Sequence, residues 1–357
     1  MNNCIFDILH GPNNPRNSEG SFLLAKDGRI RFIYTRYNGT GWGDHTAADL
    51  AELISDDSGE TWQDNGVILR RGDAENIMSV SLLRLQNGSI RLFCLEKHRV
   101  RDTVACIPIM RCSFDEGQTW SPPRRLIGHD GYYVMNNDRA VQMRSGRIVL
   151  PLSFHLWRSG GRLGPGIVFT LFSDDDGETW NESQTMLTPD FQTEAENGFQ
   201  EPGVIELENG KLLLWIRTSR AFQYRSFSED GGRTWSQPVP DWNFPSPCSP
   251  MSLKRNPATG YLYAVWNDTD RRHGVIPITT PRTPLVLMCS RDNGASWDKE
   301  KTVLLETEPD HGYCYTAMLF KESTLLLAYC CGYQGEGASP LQDLRIRKIT
   351  LPELWKD

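Results

Sequence analysis

The chain of 357 residues lacks the features that define several common classes of protein. It has no run of 18 apolar residues, so no transmembrane helix is predicted. Basic residues are in deficit, because 38 Lys and Arg stand against 45 Asp and Glu for a formal net charge of −7. This balance argues against nucleic acid or an anionic membrane as a partner. Nine cysteines, without Cys-x-x-Cys spacing, predict no metal cluster, no disulfide framework and no cofactor.

The beginning of the chain also lacks the pattern of a secretory signal. The segment MNNCIFDILHG has neither a basic region nor a long apolar region. We therefore expect reduced, mostly buried thiols and a cytoplasmic location, with prior removal of a signal peptide as the alternative. No pattern in the sequence specifies the oligomeric state.

What the sequence does contain is one eight-residue pattern, S-x-D-x-G-x-[ST]-W, repeated five times. The copies start 58, 60, 55 and 62 residues apart, and a period of about 59 leaves room for six units in the chain. The five copies are SDDSGETW (Ser55–Trp62), SFDEGQTW (Ser113–Trp120), SDDDGETW (Ser173–Trp180), SEDGGRTW (Ser228–Trp235) and SRDNGASW (Ser290–Trp297).

Each copy has the composition of a tight turn between two strands. Its Asp can accept hydrogen bonds from nearby backbone N–H groups, and its Gly can adopt a positive φ without steric cost. The following Trp offers a large apolar face to a neighbouring sheet. Five equivalent copies favour five structural corners over five active sites, so we interpret these Asp residues as turn-stabilising.

The segments between the copies predict an all-β chain. Apolar runs flank Asp-Gly, Asn-Gly or Ser-Gly turns, as in GVIELENGKLLLWI (Gly203–Ile216), which is a hairpin signal. About four strands per unit match one blade of a propeller, so we predict a single domain over residues 1–357, a six-bladed β-propeller with four-stranded antiparallel blades. In the last unit, CIFDIL (Cys4–Leu9) is predicted to pair with the C-terminal strands and so remove free edges.

In such a fold, polar residues just before each unit's first hairpin meet at the mouth of a central channel. Reading back from the hairpin turns identifies Glu19, Ser79, Asn137, Asp138, Arg139, Glu201, Tyr313 and Tyr315.

The repeated pattern is known as the Asp box, and the chain resembles the sialidase-like BNR-repeat superfamily of six-bladed β-propellers over nearly its whole length. The resemblance implies an exo-acting glycoside hydrolase that releases a terminal sialic acid or a related acidic sugar from a glycan. It also implies a tyrosyl–glycosyl intermediate, since sialidases use a Tyr nucleophile.

In four segments the resemblance extends to individual residues. The segment Glu201–Arg217 resembles the one that bears a catalytic Glu and, sixteen residues on, a substrate-binding Arg. Arg282 matches an Arg eight residues before a box, and Asp44 matches an acid/base Asp eleven residues before the first box. The segment GYCYTAMLF resembles the one with the nucleophile, which is either Tyr313 or Tyr315.

The chemistry of these residue types is consistent with the implied roles. Arg presents a bidentate fork to a carboxylate, and a Glu can accept the proton of a Tyr that is otherwise a poor nucleophile. Each residue also has an ordinary structural interpretation: the arginines as rim ion pairs, the glutamate as a turn cap, either tyrosine as a core residue and Asp44 as a loop residue.

One segment departs from the sialidase pattern. Sialidases carry a further Arg in a [FY]-R-I-P segment, whereas here the matching position falls near Ser18 or Glu19. Arg16 is two residues away and is a candidate replacement. If Glu19 faces the channel instead, its carboxylate counts against sialic acid as the substrate.

Other polar residues have no assigned sialidase counterpart, and they keep two further hypotheses open. One is a different glycosidase or a polysaccharide lyase acting on uronic-acid glycans, with a His as acid or base. The other is a non-catalytic, glycan-binding propeller. The residues concerned are Glu75, Asn76, Asn136, Asn137, Asp138, Arg139, His155 and His311.

Overall fold

A computed structural model describes residues 4–158, 162–189, 197–271, 282–335 and 337–351. Across these residues the chain is built from β-strands, with two short 3-10 turns at Thr269–Arg271 and Lys299–Lys301. This confirms the all-β prediction. No helix in the described part of the chain is long and apolar enough to cross a membrane.

The strands follow one another in six groups that match the sequence period. After β1 (Cys4–Ile8), the first three groups are β2–β5 (Asn17–Leu24, Ile30–Tyr37, Ala48–Ser55, Gln63–Leu69), β6–β9 (Asn76–Arg84, Ile90–Val100, Thr103–Ser113, Arg124–Arg125) and β10–β14 (Tyr132–Val134, Val141–Gln142, Ile148–Arg158, Arg162–Ser173, Asn181–Glu182). The last three are β15–β18 (Gln200–Glu206, Leu212–Arg217, Phe222–Ser228, Val239–Pro245), β19–β22 (Ser252–Arg255, Leu262–Asn267, Leu285–Ser290, Val303–Glu306) and β23–β25 (His311–Lys321, Thr324–Tyr333, Asp343–Thr350).

Strand pairing divides these groups into three four-stranded sheets and one thirteen-stranded sheet. The large sheet contains the first three groups, which are linked by single parallel residue pairs, Ala48 with Asn76 and Cys106 with Tyr132. Pairing therefore does not resolve six separate sheets, and the six-bladed arrangement stays a prediction.

The N-terminal strand completes the last group, as the sequence predicts. β1 pairs antiparallel with β25, and the sheet has the order β1-β25-β24-β23. Asp7 reinforces the pairing through two hydrogen bonds from Arg345, of 2.8 and 3.0 Å. The two ends of the chain thus share one sheet.

The repeated turns have the predicted chemistry. In the third copy, Asp175 accepts hydrogen bonds from Ser173 Oγ at 2.8 Å, from the backbone N of Thr179 at 2.8 Å and from Thr179 Oγ1 at 2.6 Å. Gly177 has a φ of +93°, and the equivalent Gly of each other copy is also positive. The other four copies repeat the Asp hydrogen bonds, so these carboxylates are turn-stabilising.

Within the described residues, the core consists of six hydrophobic clusters, each shared by two groups of strands. Five of them join groups that are consecutive in the chain. The sixth joins the last group to the first, with Leu326 and Ala328 packed in the same cluster as Tyr34 and Trp62. Buried apolar surface of this kind is the main stabilising contribution to a fold.

Candidate functional site

A strand irregularity recurs where the first long strand of several groups approaches one cavity. The antiparallel register shifts around Glu19, Ser79, Glu201 and Tyr315. Each of these residues has a positive φ, between 42° and 63°. Such a conformation is uncommon outside glycine and costs on the order of 1–3 kcal/mol, so it is retained where neighbours enforce it. The bulge takes each side chain out of strand alternation, and all four line the cavity.

The cavity has a volume of about 320 Å³ and a strongly polar lining. It brings together residues that are widely separated in the sequence. Among those named from the sequence, the lining includes Glu19, Asp44, Ser79, Asn136, His155, Glu201, Arg217, Arg282 and Tyr315. A small polar ligand with several hydrogen-bonding groups suits such a lining.

Tyr315, Glu201 and Arg217 form a continuous chain of hydrogen bonds. Tyr315 Oη donates to Glu201 Oε1 at 3.0 Å, and Arg217 Nη1 donates to Glu201 Oε2 at 2.7 Å. Burial disfavours the charge of Glu201, but Arg217, Arg282 and the hydrogen bond from Tyr315 together outweigh it and lower the pKa of the carboxyl. Burial and the charge of Glu201 raise the pKa of Tyr315 well above its ordinary value, against the effect of the arginines. The resting arrangement is therefore a neutral Tyr beside an ionised acceptor.

Arg282 lies over the Tyr315 ring, with its guanidinium carbon 5.2 Å from the ring centre. Among the described residues, its hydrogen-bond partner is Cys314, whose Sγ lies 2.8 Å from Nη1. Cys248 Sγ similarly accepts a hydrogen bond from Arg217 Nε, at 3.4 Å. Sulfur is a weak acceptor, so both guanidinium groups retain donor capacity toward the cavity that they line.

Asp44 lies on the rim of the cavity, in the loop between β3 and β4. Its backbone oxygen accepts hydrogen bonds from Lys97 Nζ at 2.6 Å and from Asn76 Nδ2 at 2.8 Å, which fix the loop. Its carboxylate accepts a hydrogen bond from Arg16 Nη1 at 2.6 Å. Local burial favours the neutral acid, but Arg16 and Lys97 together hold the pKa of Asp44 well below its usual range. Since the side chain is 55% exposed, solvent weakens this effect.

Arg16 is buried behind the cavity and is only 1% exposed. Besides Asp44, its guanidinium donates to Ser18 Oγ at 3.0 Å and to Glu19 Oε1 at 3.2 Å. It also lies 4.7 Å from the centre of the Tyr37 ring. Arg16 is thus committed to protein partners and is not among the cavity-lining residues, whereas Glu19 is.

The structure separates the two candidate tyrosines. Tyr313 is fully buried in a hydrophobic cluster, and its hydroxyl donates to Glu308. It does not line the cavity. The register shift between Cys314 and Ala317 explains the difference, because it changes the direction of Tyr315 relative to regular alternation. Of the pair left open by the sequence, the cavity contains Tyr315.

Six other residues named from the sequence lie outside the cavity lining. Two are asparagines that bind backbone oxygens: Asn76 donates to Asp44, and Asn137 donates to Gly20. Asp138 accepts hydrogen bonds from Ser21, Lys254 and the Met318 backbone, and so ties four groups of strands together. The remaining three also have protein partners: Arg139 donates to Ser252 and Met251, Glu75 pairs with Arg99, and His311 contacts Asp310. Burial lowers the pKa of Arg139 to about 10.

His155 does line the cavity, but both of its ring nitrogens have nearby partners. Nδ1 is 3.0 Å from the Gly164 oxygen, and Nε2 is 3.3 Å from Ser153 Oγ. Burial lowers its pKa. These contacts support a structural role at the cavity wall.

Sequence reasoning missed Lys97 and Tyr132. Both line the cavity, and Lys97 Nζ lies 5.8 Å from the centre of the Tyr132 ring. The available signal was a Lys at the end of the apolar run RLFCLEK, which pairs with Asn76, one of the polar residues without an assigned sialidase counterpart. No group of three or more His, Cys, Asp or Glu residues placed to hold a metal ion occurs among the described residues.

The comparisons with known proteins agree with this architecture. A family model described as a BNR repeat-like domain matches residues 46–327. The chain is 24% identical over 231 residues to a sialidase of Bacteroides fragilis (strain YCH46), covering 61% of this chain and 38% of that protein. It is 24% identical over 237 residues to a sialidase of Paraclostridium sordellii, covering 59% and 55%. The matches therefore span about half or less of these relatives' lengths.

Solved structures extend the likeness over nearly the whole chain. One is the intramolecular trans-sialidase from Ruminococcus gnavus in complex with oseltamivir carboxylate. It aligns over 96% of each chain with a TM-score of 0.72 and 14% sequence identity. At this identity, the likeness shows a shared fold.

Proposed function

The chain belongs to the sialidase-like superfamily of BNR-repeat proteins, and on this premise we propose that it is an exo-acting glycoside hydrolase of sialidase type. The proposed substrate is a glycan that ends in a sialic acid or a related acidic sugar. The observation that carries the proposal is the hydrogen-bonded chain Tyr315–Glu201–Arg217 beside Arg282, in a cavity that Asp44 borders.

In the proposed first step, Tyr315 Oη attacks the anomeric carbon as its proton passes to Glu201. The bond to the leaving glycosidic oxygen breaks, and that oxygen takes a proton from Asp44. In the second step Asp44 removes a proton from water, which attacks the anomeric carbon. The bond to Tyr315 breaks, and Glu201 returns the proton to the phenol oxygen.

The electrostatics of the cavity support this division of roles. A neutral nucleophile avoids repulsion from the substrate's own carboxylate, which Arg217 and Arg282 would hold. Proton transfer neutralises Glu201, so Arg217 becomes more available to the substrate as the reaction proceeds. Asp44 must be protonated to act first as an acid, and its lowered pKa therefore favours activity at acidic pH.

Turnover of a fluorogenic α-sialoside between pH 4 and pH 8 tests the proposal. We expect Tyr315→Phe to reduce kcat by at least about 10²-fold, since it removes the nucleophile. Tyr313→Phe is the matched control, because it loses one phenol oxygen outside the cavity; it should retain most activity. No turnover by the unaltered protein, or equal losses in both variants, would contradict the proposal.

A trapping experiment distinguishes catalysis from binding alone. A sialic acid analogue fluorinated at positions 2 and 3 should form a covalent adduct that peptide mapping by mass spectrometry assigns to Tyr315. Binding without an adduct or turnover would instead favour a glycan-binding protein. Release of an unsaturated product that absorbs in the near ultraviolet would favour a lyase.

We also propose that the six groups of strands form the six blades of a propeller. The supporting observation is the set of six shared clusters, one of which joins the last group to the first. In such a ring, the bulged residues of several blades meet at one end of the central channel.

The charge and the sequence pattern also predict that the protein binds neither nucleic acid nor a membrane and that it is cytoplasmic. These statements stay predictions.

A second candidate substrate class is favoured by one feature. Glu19 lines the cavity at the bulge position of the first group, near the position where the sialidase pattern has an Arg. Its carboxylate counts against sialic acid, which carries its carboxyl group on the anomeric carbon. A uronic acid carries that group on C5 instead, so a terminal uronic acid is the alternative. A panel of fluorogenic uronides run beside the sialoside distinguishes the two classes.

A further inference from the structure

Glu19 occupies in the first group the position that the proposed catalytic residues occupy in theirs. Glu19, Glu201 and Tyr315 each sit at a register shift, and their φ values are 49°, 42° and 58°. All three line the same cavity. By position, Glu19 is therefore presented to a ligand in the way that Glu201 and Tyr315 are.

The neighbours of Glu19 hold its carboxyl group in place. Oε1 accepts a hydrogen bond from Arg16 Nη2 at 3.2 Å, and Oε2 accepts one from Ser79 Oγ. The side chain is 6% exposed. Ser18 Oγ also donates to Oε1, at 3.5 Å. A carboxylate has about four acceptor sites, so these three partners fix the orientation of Glu19 and leave acceptor capacity.

Arg16 does not compensate for this carboxyl by reaching the ligand. Its Nη1 donates to Asp44 and its Nη2 to Ser18 and Glu19. Moving Arg16 into the cavity would leave Glu19 and Asp44 without this cation, which is costly for Glu19 because its carboxyl group is buried. A ligand carboxylate therefore meets Arg217 and Arg282 as its arginine partners.

The charge balance of the described residues leads to the same conclusion. In and around the cavity there are four cations and three carboxyl groups. The cations are Arg16, Lys97, Arg217 and Arg282, and the carboxyl groups are those of Glu19, Asp44 and Glu201. With all of them ionised, one positive charge remains for a ligand. The charge of Glu19 is felt as far as Tyr315, where it opposes ionisation of the phenol.

We infer that Glu19 determines how strongly the cavity prefers an acidic sugar over an uncharged one. It places a carboxylate where a third cation would otherwise bind the carboxylate of the sugar. The cavity therefore discriminates less between an acidic sugar and its uncharged counterpart. The inference rests on the proposed function for the location of the sugar carboxylate at Arg217 and Arg282. It predicts a substrate class of acidic sugars held by two arginines, together with tolerance of neutral carboxyl derivatives such as amides and esters.

Titration calorimetry with one pair of ligands tests this inference. The ligands are the dehydrated sialic acid analogue and its carboxamide, which differ by one negative charge. Burial raises the pKa of Glu19, so the titrations are run at the highest pH at which the protein stays folded, where the largest fraction of Glu19 is ionised. In the unaltered protein, the two dissociation constants should differ by less than about tenfold.

Two variants remove the charge of Glu19 in different ways. Glu19→Gln keeps its size, and Glu19→Ser copies Ser79, which has a φ of 63° at the equivalent bulge. Both should improve the preference for the carboxylate over the carboxamide about tenfold, because a nearby like charge is gone. Glu75→Gln removes the same charge outside the cavity lining and should leave the preference unchanged.

The outcomes separate this inference from the proposed function. An unchanged preference in both Glu19 variants, with melting temperatures that show folded protein, would overturn the inference even if the sialoside is hydrolysed. An improved preference without hydrolysis by any variant would support the inference and reject the hydrolase. If neither ligand binds the unaltered protein or any variant, the inference is overturned.

Discussion

The carboxylates of the five repeated turns and those of the cavity differ in where their partners come from. Asp175, in a turn, is bonded by residues two and four positions away. Glu201, in the cavity, is bonded by Arg217, 16 positions away, and by Tyr315, 114 positions away. Hydrogen bonds from Thr179 lower the pKa of Asp175 to about 2, whereas burial raises the pKa of Glu19.

This difference explains why one set of carboxylates forms a motif and the other does not. A turn that satisfies its own carboxylate can be repeated without regard to the rest of the chain, so the same residues recur at each corner. A cavity carboxylate depends on residues that are distant in the sequence, including residues of other strand groups, and each group contributes a different side chain. The same bulge therefore presents a different residue in each of four groups of strands: Glu19 in the first, Ser79 in the second, Glu201 in the fourth and Tyr315 in the last.

The largest expected effect comes from the cavity. Glu201→Gln removes the acceptor for the Tyr315 proton while preserving shape, and kcat for the sialoside should fall by about 10²- to 10⁴-fold. The melting temperature should change far less than kcat. A variant that retains full kcat would show that Glu201 is a structural residue like Asp175.

A second prediction concerns a carboxylate of a repeated turn, whose loss should reduce stability rather than activity. Asp175→Ala removes three hydrogen bonds at an exposed corner, and the free energy of unfolding should fall by about 1–2 kcal/mol, as at lost helix caps. Denaturant unfolding measures this loss. The kcat/KM of the folded variant should equal that of the unaltered protein, and a large loss of activity would break the distinction between the two regions.

These regions also differ in how far the sequence predicts them. The turns and the hairpins were predicted, because alternation, Gly positions and local hydrogen bonding specify them. The pairing of β1 with the C-terminal strands was predicted because it removes free edges in the last unit. The choice of Tyr315 over Tyr313 was not, since it depends on a register shift that alternation does not reveal. Lys97 was missed because its role depends on the Asp44 loop, 53 residues away.

Acid should weaken the turns in a defined pH range. The pKa of Asp175 is about 2 in the folded chain and about 3.9 in an unfolded one. Its contribution is therefore fully present above about pH 4 and is lost as the pH falls through 2. The difference in stability between the unaltered protein and Asp175→Ala should shrink over this range. A difference that stays constant down to pH 2 would contradict the assigned hydrogen bonds.

The smallest effect expected is a shift in the pH profile of the cavity. If Asp44 is the acid, kcat/KM declines as the pH rises above its pKa, which Arg16 and Lys97 lower against the effect of burial.

Lys97→Met removes one of these charges, so Asp44 holds its proton to higher pH and the midpoint of the decline should move upward by about half to one pH unit. Lys26→Met, at an exposed site, should leave the midpoint in place. His45→Gln, beside Asp44, should move it less than Lys97→Met does, because His45 contributes less than Lys97 to lowering the pKa of Asp44. Loss of the decline in His45→Gln would assign the titration to His45, since burial and Lys97 also lower the pKa of that ring. The cavity carboxylate would then differ from the turn carboxylates in location but not in function.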